Sequence, residues 1–456
     1  MTKIQLVRKY ILEEVNEGRI AKGQRLPSCR EVAALLNVNK ITVNKAYAQL
    51  EEEHEVYSIP RGGFYLVDYR DKSSVVKKQI DFSVVKPDEK LIPYREFTHV
   101  INKAVDIYKS NLFVYEQNLE TSNLKTTLKL YLEREGIYTS SENIIITNGA
   151  QQGIDLVLQA VFHNNNRKLL VEVPSYNLVL KLAKYLGIEM VGIERRKDGY
   201  DFEKMEEILK NEDIEAFYVI PRHHNPTGYS LAECEKKKIV ELCNKYNVLI
   251  IEDDYLSELG DKKTAMPIYY YDTNRCTIYV KSFSKTFMPG LRIGAIILPK
   301  CLVNEIAVLK YLSDLNTSKL PQVALDLFIK SGMYEKHIKK VRKSYEDKLK
   351  KAREIFKSLS PQELIWNVPN NGIFIWLVLP EYVKASILSQ ELKTKGIIID
   401  SDNRFSLNDI MEIENYPNYH NCVRLCISGV AYEDIRAIET IISTIKSFEV
   451  EKLAIK

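Results

Sequence analysis

Lys281-Ser282-Phe283-Ser284-Lys285-Thr286-Phe287-Met288-Pro289-Gly290-Leu291-Arg292-Ile293-Gly294 is the stretch whose reading decides the fold. It follows a β-rich run at 277–280 and leads into another at 293–298, so two hydroxyls, a lysine and an arginine gather at a strand end. Upstream, runs at 143–147, 169–173, 216–220 and 248–251 alternate with helical stretches. That alternation marks a largely parallel sheet covered by helices on both faces. Ligands of such sheets bind beyond the carboxyl ends of the strands.

In this chain the strand ends hold the polar chemistry. Thr147-Asn148-Gly149-Ala150-Gln151 closes one strand and opens a helix, so its backbone N–H groups are placed to cradle a phosphate. Asn225-Pro226-Thr227-Gly228 follows a second strand and Glu252-Asp253-Asp254-Tyr255 a third. A lone lysine after a strand reads as a solvated residue, and an acidic pair reads as a helix cap. Together they are different. A lysine for an imine, a carboxylate for a pyridine nitrogen, donors for a phenolate and a phosphate cup are the four needs of a pyridoxal 5'-phosphate (PLP) site.

On these residues the chain resembles the class I/II aminotransferases of fold-type I, from about residue 80 to the C-terminus. The resemblance implies a large, mixed, mostly parallel α/β sheet domain (about 110–320) and a smaller α+β part (about 321–456 with 80–109). It implies that Lys285 forms the internal aldimine, while Ser282, Ser284, Arg292 and the backbone of Ala150 and Gln151 hold the phosphate. Asp253 would pair with the pyridine nitrogen, with Asp254 as rival; Asn225 and Tyr255 would bind the phenolate oxygen, and Tyr176 would stack on the ring. Arg424 matches the clamp for a substrate carboxylate, and Tyr115 a tyrosine reaching the phosphate from a neighbouring subunit. The segment after Tyr115 lacks the family's glycine and proline. His223-His224 has no third ligand at metal-binding spacing, so no metal is expected.

The first 68 residues read differently. Ile4, Val7, Ile11 and Val15 recur at helical spacing up to Gly18, Ser28 and Glu31 form a capping box, and Asn37-Val38-Asn39 breaks the chain before a third helix with Val43, Ala46, Tyr47 and Leu50 inward. Val32, Leu35 and Leu36 supply the second helix's apolar side, and Lys40, Thr42, Asn44 and Lys45 stay outside. Runs at 56–59 and 64–67 around Pro60-Arg61-Gly62-Gly63 make a hairpin wing. Leu26-Pro27-Ser28, Arg30-Glu31, Asn39-Lys40, Thr42-Val43, Ala46-Tyr47 and Arg61-Gly62-Gly63-Phe64 resemble the GntR-family winged helix-turn-helix. That resemblance assigns DNA contact to Arg30, Asn39, Lys40, Thr42, Asn44 and Arg61. Lys40 stands where arginine is usual, and lysine acts closer to a point charge than arginine's bidentate fork.

Charge agrees with that division. Residues 1–78 hold 14 Lys+Arg against 10 Asp+Glu, so the whole net charge of +4 lies there, and the other 51 basic and 51 acidic residues cancel. Residues 69–79 read as a linker and 80–456 as the second domain. Seven scattered cysteines with no Cys-x-x-Cys pair point to a reducing, cytoplasmic setting, and the longest apolar run, 372–379, is far too short for a membrane span. The pairing of modules looks like the MocR subfamily of GntR regulators, whose members are typically homodimers. It implies a transcriptional regulator sensing PLP, an amino acid or an amine through the aldimine. The alternative is a working aminotransferase with an accessory DNA-binding module.

Overall fold

The computed structural model describes residues 2–21, 23–53, 55–59, 62–67, 79–114, 123–163, 166–260, 266–400 and 421–455. The chain forms two compact units, Met1–Lys77 and Lys78–Lys456.

In the first unit, helix α1 (Lys3–Asn16) is opened by a capping box of Thr2 and Gln5, and α2 (Cys29–Leu35) by the box of Ser28 and Glu31. Helix α3 (Lys40–Glu52) starts at Asn39, whose side chain accepts from the Ile41 N–H. Strands β1 (Val56–Ile59) and β2 (Gly63–Leu66) pair antiparallel, and Leu26 donates its N–H to Phe64 O, tying the chain ahead of α2 to the hairpin. Val7, Ile11, Val32, Val43, Tyr47, Leu50, Val56 and Leu66 form one core. Each such side chain contributes roughly 1.5–3 kcal/mol on burial. Leu35, expected inside, is 63% exposed. In a two-turn helix the inward stripe runs from Val32 to Leu36 one turn on, and Leu35 falls beside it.

The second unit begins with β3 (Ile80–Asp81), α4 (Tyr94–Tyr108) and α5 (Asn123–Glu133). Alternation follows: β4 (Ile144–Thr147), α6 (Ala150–Val161), β5 (Lys168–Val173), α7 (Asn177–Tyr185), β6 (Met190–Glu194), α8 (Phe202–Asn211), β7 (Ile214–Val219), α9 (Glu233–Lys245), β8 (Leu249–Asp254), α10 (Ile268–Tyr271), β9 (Thr277–Ser282) and β10 (Gly294–Ile297). The seven strands form one sheet in the order β4-β10-β9-β8-β7-β5-β6, in which only β10 runs antiparallel to its neighbours. Their residues alternate between two cores. Val171, Tyr218, Ile251, Ile278 and Ile296 join the core on one face; Leu170, Phe217 and Ile250, then Tyr279 and Ala295, join those on the other. Burial on both faces explains the near-continuous apolar runs in the sequence.

Helices α11 (Lys300–Asp314), α12 (Lys319–Lys330) and α13 (Met333–Leu359) lead into β11 (Ile365–Asn367), β12 (Phe374–Val378), α14 (Ala385–Thr394), β13 (Ile397–Ile398), β14 (Cys422–Cys426) and α15 (Ala437–Ile455). Strands β11, β12 and β14 form an antiparallel sheet, and β13 pairs in parallel with β3. Ile373, Phe374, Val423 and Leu425 share a core with the large sheet's first face. This joins β14 to the edge where β4, β5, β7, β8 and β9 end. No helix among the described residues is long and apolar enough to cross a membrane.

Candidate functional site

The carboxyl ends of those strands converge on Lys285. Its half-buried amine donates to Val85 O at 3.2 Å. Burial, opposed by Cys426 and then reinforced by Arg292 and Arg424, lowers its pKa, which raises the fraction of neutral, nucleophilic amine.

Adjacent carboxylates at the end of β8 have opposite environments. Asp254 has both oxygens engaged: Arg222 Nε donates to Oδ1 at 3.1 Å, while Arg222 Nη2 and the Tyr279 hydroxyl donate to Oδ2. Burial pushes the Asp254 carboxyl up, but Arg222 and Tyr279 outweigh it and hold it below the usual range. Asp253 accepts from the Tyr218 hydroxyl at 2.7 Å on Oδ2, and its buried Oδ1 has no partner among the described residues. Burial, against the opposing Tyr218 bond, pushes Asp253 up to about 7. An unpartnered buried carboxylate oxygen is costly unless a donor arrives.

A cup lies at the start of α6. Gly149 caps that helix at φ +82 with no side-chain acceptor for the first N–H groups, and Gln151 Oε1 is buried without a partner. Arg292, itself in the left-handed region at φ 52, donates from Nη2 to Asn148 O at 3.1 Å. A Cβ on Gly149 would come within 2.7 Å of that guanidinium, and one on Gly294 within 2.6 Å of Gly149's own backbone, so only glycine permits this approach. Ser284 donates its N–H to Ser282 Oγ at 3.3 Å, which folds the turn holding both hydroxyls.

Tyr176 is half-buried, and Asp253, Arg424 and Arg292 all act electrostatically on its hydroxyl. Tyr255 donates to His223 O at 2.6 Å. Arg424 on β14 donates to Asn225 Oδ1 at 2.9 Å, to Ser83 O at 3.1 Å and to Asp400 Oδ2 at 2.7 Å. The residues expected from sequence are thus brought together, apart from Tyr115, which lies outside the described residues. Sequence reading missed Tyr218, Asp400 and Ser175, whose buried hydroxyl has no partner. His224 is tied to Thr227 at 2.8 Å and lies 3.4 Å from Glu172, so it belongs to a buried polar network with Arg195 and Tyr200.

The residues present fit PLP. A half-buried primary amine, an open carboxylate oxygen and a helix start without a side-chain cap beside an arginine match its aldehyde, its ring nitrogen and its phosphate.

On the N-terminal unit, Arg30, Lys40, Asn44 and Lys45 are exposed, and Thr42 is half-buried rather than outside. Asn39 is exposed but spends its Oδ1 on the α3 cap, at 2.9 Å from the Ile41 N–H. Arg61 lies outside the described residues.

The bacterial regulatory protein gntR family matches residues 3–66, and aminotransferase class I and II matches residues 77–441. An HTH-type transcriptional regulator of Bacillus subtilis, YcxD, is 36% identical over 97% of this chain and 100% of its own length. The chain belongs to the MocR-type GntR regulators. The HTH-type transcriptional regulator NorG of Staphylococcus aureus is 25% identical over 82% of this chain and 91% of its own. A solved kynurenine aminotransferase of Pyrococcus horikoshii matches at TM-score 0.74 and 26% identity, over 82% of this MocR-type chain and 92% of its own. The second unit therefore has the fold-type I aminotransferase fold, and the chain is a DNA-binding regulator with an aminotransferase-like domain.

Proposed function

We propose that this regulator holds PLP at Lys285 and reports an amino compound, or PLP itself, to its winged module. The observation that supports it is the lone open oxygen of Asp253, buried and paired with no donor, in a pocket with a lysine of lowered pKa. When bound, PLP supplies an aldehyde that exchanges amines and a ring that withdraws electrons. Asp253 would keep a proton on the ring nitrogen, with Tyr218 donating to its other carboxylate oxygen. The Ala150 and Gln151 N–H groups, Ser282, Ser284 and Arg292 would take the phosphate. Tyr176 would cover the ring face, and Asn225 and Tyr255 would meet its phenolate oxygen. Arg424 stands where the family's clamp for a carboxylate stands.

On the first unit, Arg30, Lys40, Thr42 and Asn44, with Asn39 at the cap, face DNA. Lys40 sits at the N-terminus of α3, where a recognition helix meets the major groove. The working assembly is a homodimer in this reading. Coupling requires an effector that binds two states of the protein unequally, since equal binding shifts no equilibrium.

The test follows both outputs of the full chain loaded with PLP. Candidate amines and amino acids are titrated while the absorbance of the bound cofactor is read. Affinity for DNA upstream of its own gene is measured in parallel at fixed salt. A compound that perturbs the absorbance should also change DNA affinity severalfold. Fast multiple turnover of an amino acid without sequence-specific DNA binding would establish the aminotransferase alternative instead.

A further inference from the structure

Arg424, placed where an effector's carboxylate would dock, already holds a carboxylate of its own chain. Asp400 follows β13 and bridges to Arg424 through the backbone, with the Arg424 N–H 3.4 Å from Asp400 O. Their side chains pair at 2.7 Å, and both residues are buried, 5% and 6% exposed. The same Nη2 also donates to Ser83 O and Nη1 donates to Asn225 Oδ1, while the guanidinium lies 4.7 Å over the Phe374 ring.

A guanidinium recognises a free carboxylate through two parallel N–H donors, and here Nη2 and the positive charge are already committed to Asp400 and Nη1 to Asn225. An α-amino acid would bring a second negative charge against Asp400 in a site sheltered from water, and would have to break the existing pair. Breaking a buried pair on one side is costly. An amine without a carboxylate meets neither obstacle. Built-in repulsion of one ligand class is a source of specificity.

We propose that Asp400 occupies the carboxylate subsite and makes the pocket selective for primary amines that lack an α-carboxylate. The inference rests on PLP binding at Lys285 and on an amine effector.

The experiment uses the full chain loaded with PLP and two matched pairs, L-alanine with ethylamine and L-phenylalanine with 2-phenylethylamine. Equilibrium dissociation constants are read from the absorbance of the bound cofactor for the wild type, Asp400→Asn and Asp400→Ala. The asparagine variant keeps the shape of the side chain, and retention of the cofactor's absorbance before titration reports an intact pocket. The wild type should favour each amine over its amino acid by about 10-fold or more, and both variants should move that ratio toward the amino acid by about 10-fold or more. An unchanged ratio across the three proteins, including failure of all three to bind any of the four compounds, overturns the role of Asp400. Absence of any bound-cofactor absorbance in the wild type overturns the underlying PLP reading instead.

Discussion

Asp253 and Asp254 are neighbours in sequence, yet their surroundings give them opposite protonation. The unfolded Asp253 carboxyl releases its proton near 3.8, whereas in the folded, cofactor-free chain it keeps it to about 7. The folded state binds the extra proton between those values, so stability is lost as pH rises through that window and is level above it. Asp253→Asn removes this penalty. In urea unfolding of the cofactor-free chain, the wild type should weaken between pH 5 and pH 8, and the variant should weaken less, by on the order of 1–3 kcal/mol. Burial likewise raises Glu252 to about 7, so the difference between the two proteins is the deciding quantity. Equal losses would mean that Asp253 is ionised in the fold. The variant should also bind PLP at least about 10-fold more weakly, because an amide does not favour a protonated ring nitrogen. Sequence placed Asp253 and Asp254 at one strand end and favoured Asp253 over its rival only by family resemblance. The physical difference comes from Tyr218 and Tyr279 on neighbouring strands and from Arg222 in the loop after β7.

At the level of elements, two helix starts do the work in this chain, and both can be probed by small changes. Gly149→Ala places a methyl group against the Arg292 guanidinium and also strains a backbone held at φ +82. PLP binding by equilibrium dialysis should fall by about 10-fold or more, since a lost charge-assisted contact is worth roughly 1.5–3 kcal/mol. Gly294→Ala meets backbone that cannot yield, and should lower the thermal midpoint of the second unit sharply. An unchanged midpoint for Gly294→Ala would contradict the close approach of β10 to the α6 start. At α3, Asn39 caps the helix and, in the proposed function, also stands on the DNA-facing side. Asn39→Ala should cost about 1 kcal/mol and weaken DNA binding, while Asn39→Asp keeps an acceptor for the Ile41 N–H and weakens DNA binding alone through its charge. If the aspartate variant bound DNA as the wild type does, Asn39 would be only a cap. The capping signals of α2, the strand runs and the alternation of helix and strand were legible because they are local. Leu35 was misread because a two-turn helix has too narrow a stripe for periodicity to resolve.

For the whole molecule, the sequence patterns separated a gntR-type module from an aminotransferase-type domain, and the family matches divide the chain the same way. The long-range pairs were not legible. Asp400 meets Arg424, and Tyr218 meets Asp253, only because the chain folds three-dimensionally, and no spacing rule links positions 24 or 35 residues apart. The central claim is that cofactor chemistry at Lys285 governs DNA binding. Affinity of the wild type and of Lys285→Ala for DNA upstream of the chain's own gene, measured at one salt concentration with and without PLP and amine, tests it most directly. The expected result is a ligand-dependent change in the wild type and the same affinity under every condition for Lys285→Ala. A ligand response in the alanine variant equal to that of the wild type would contradict it.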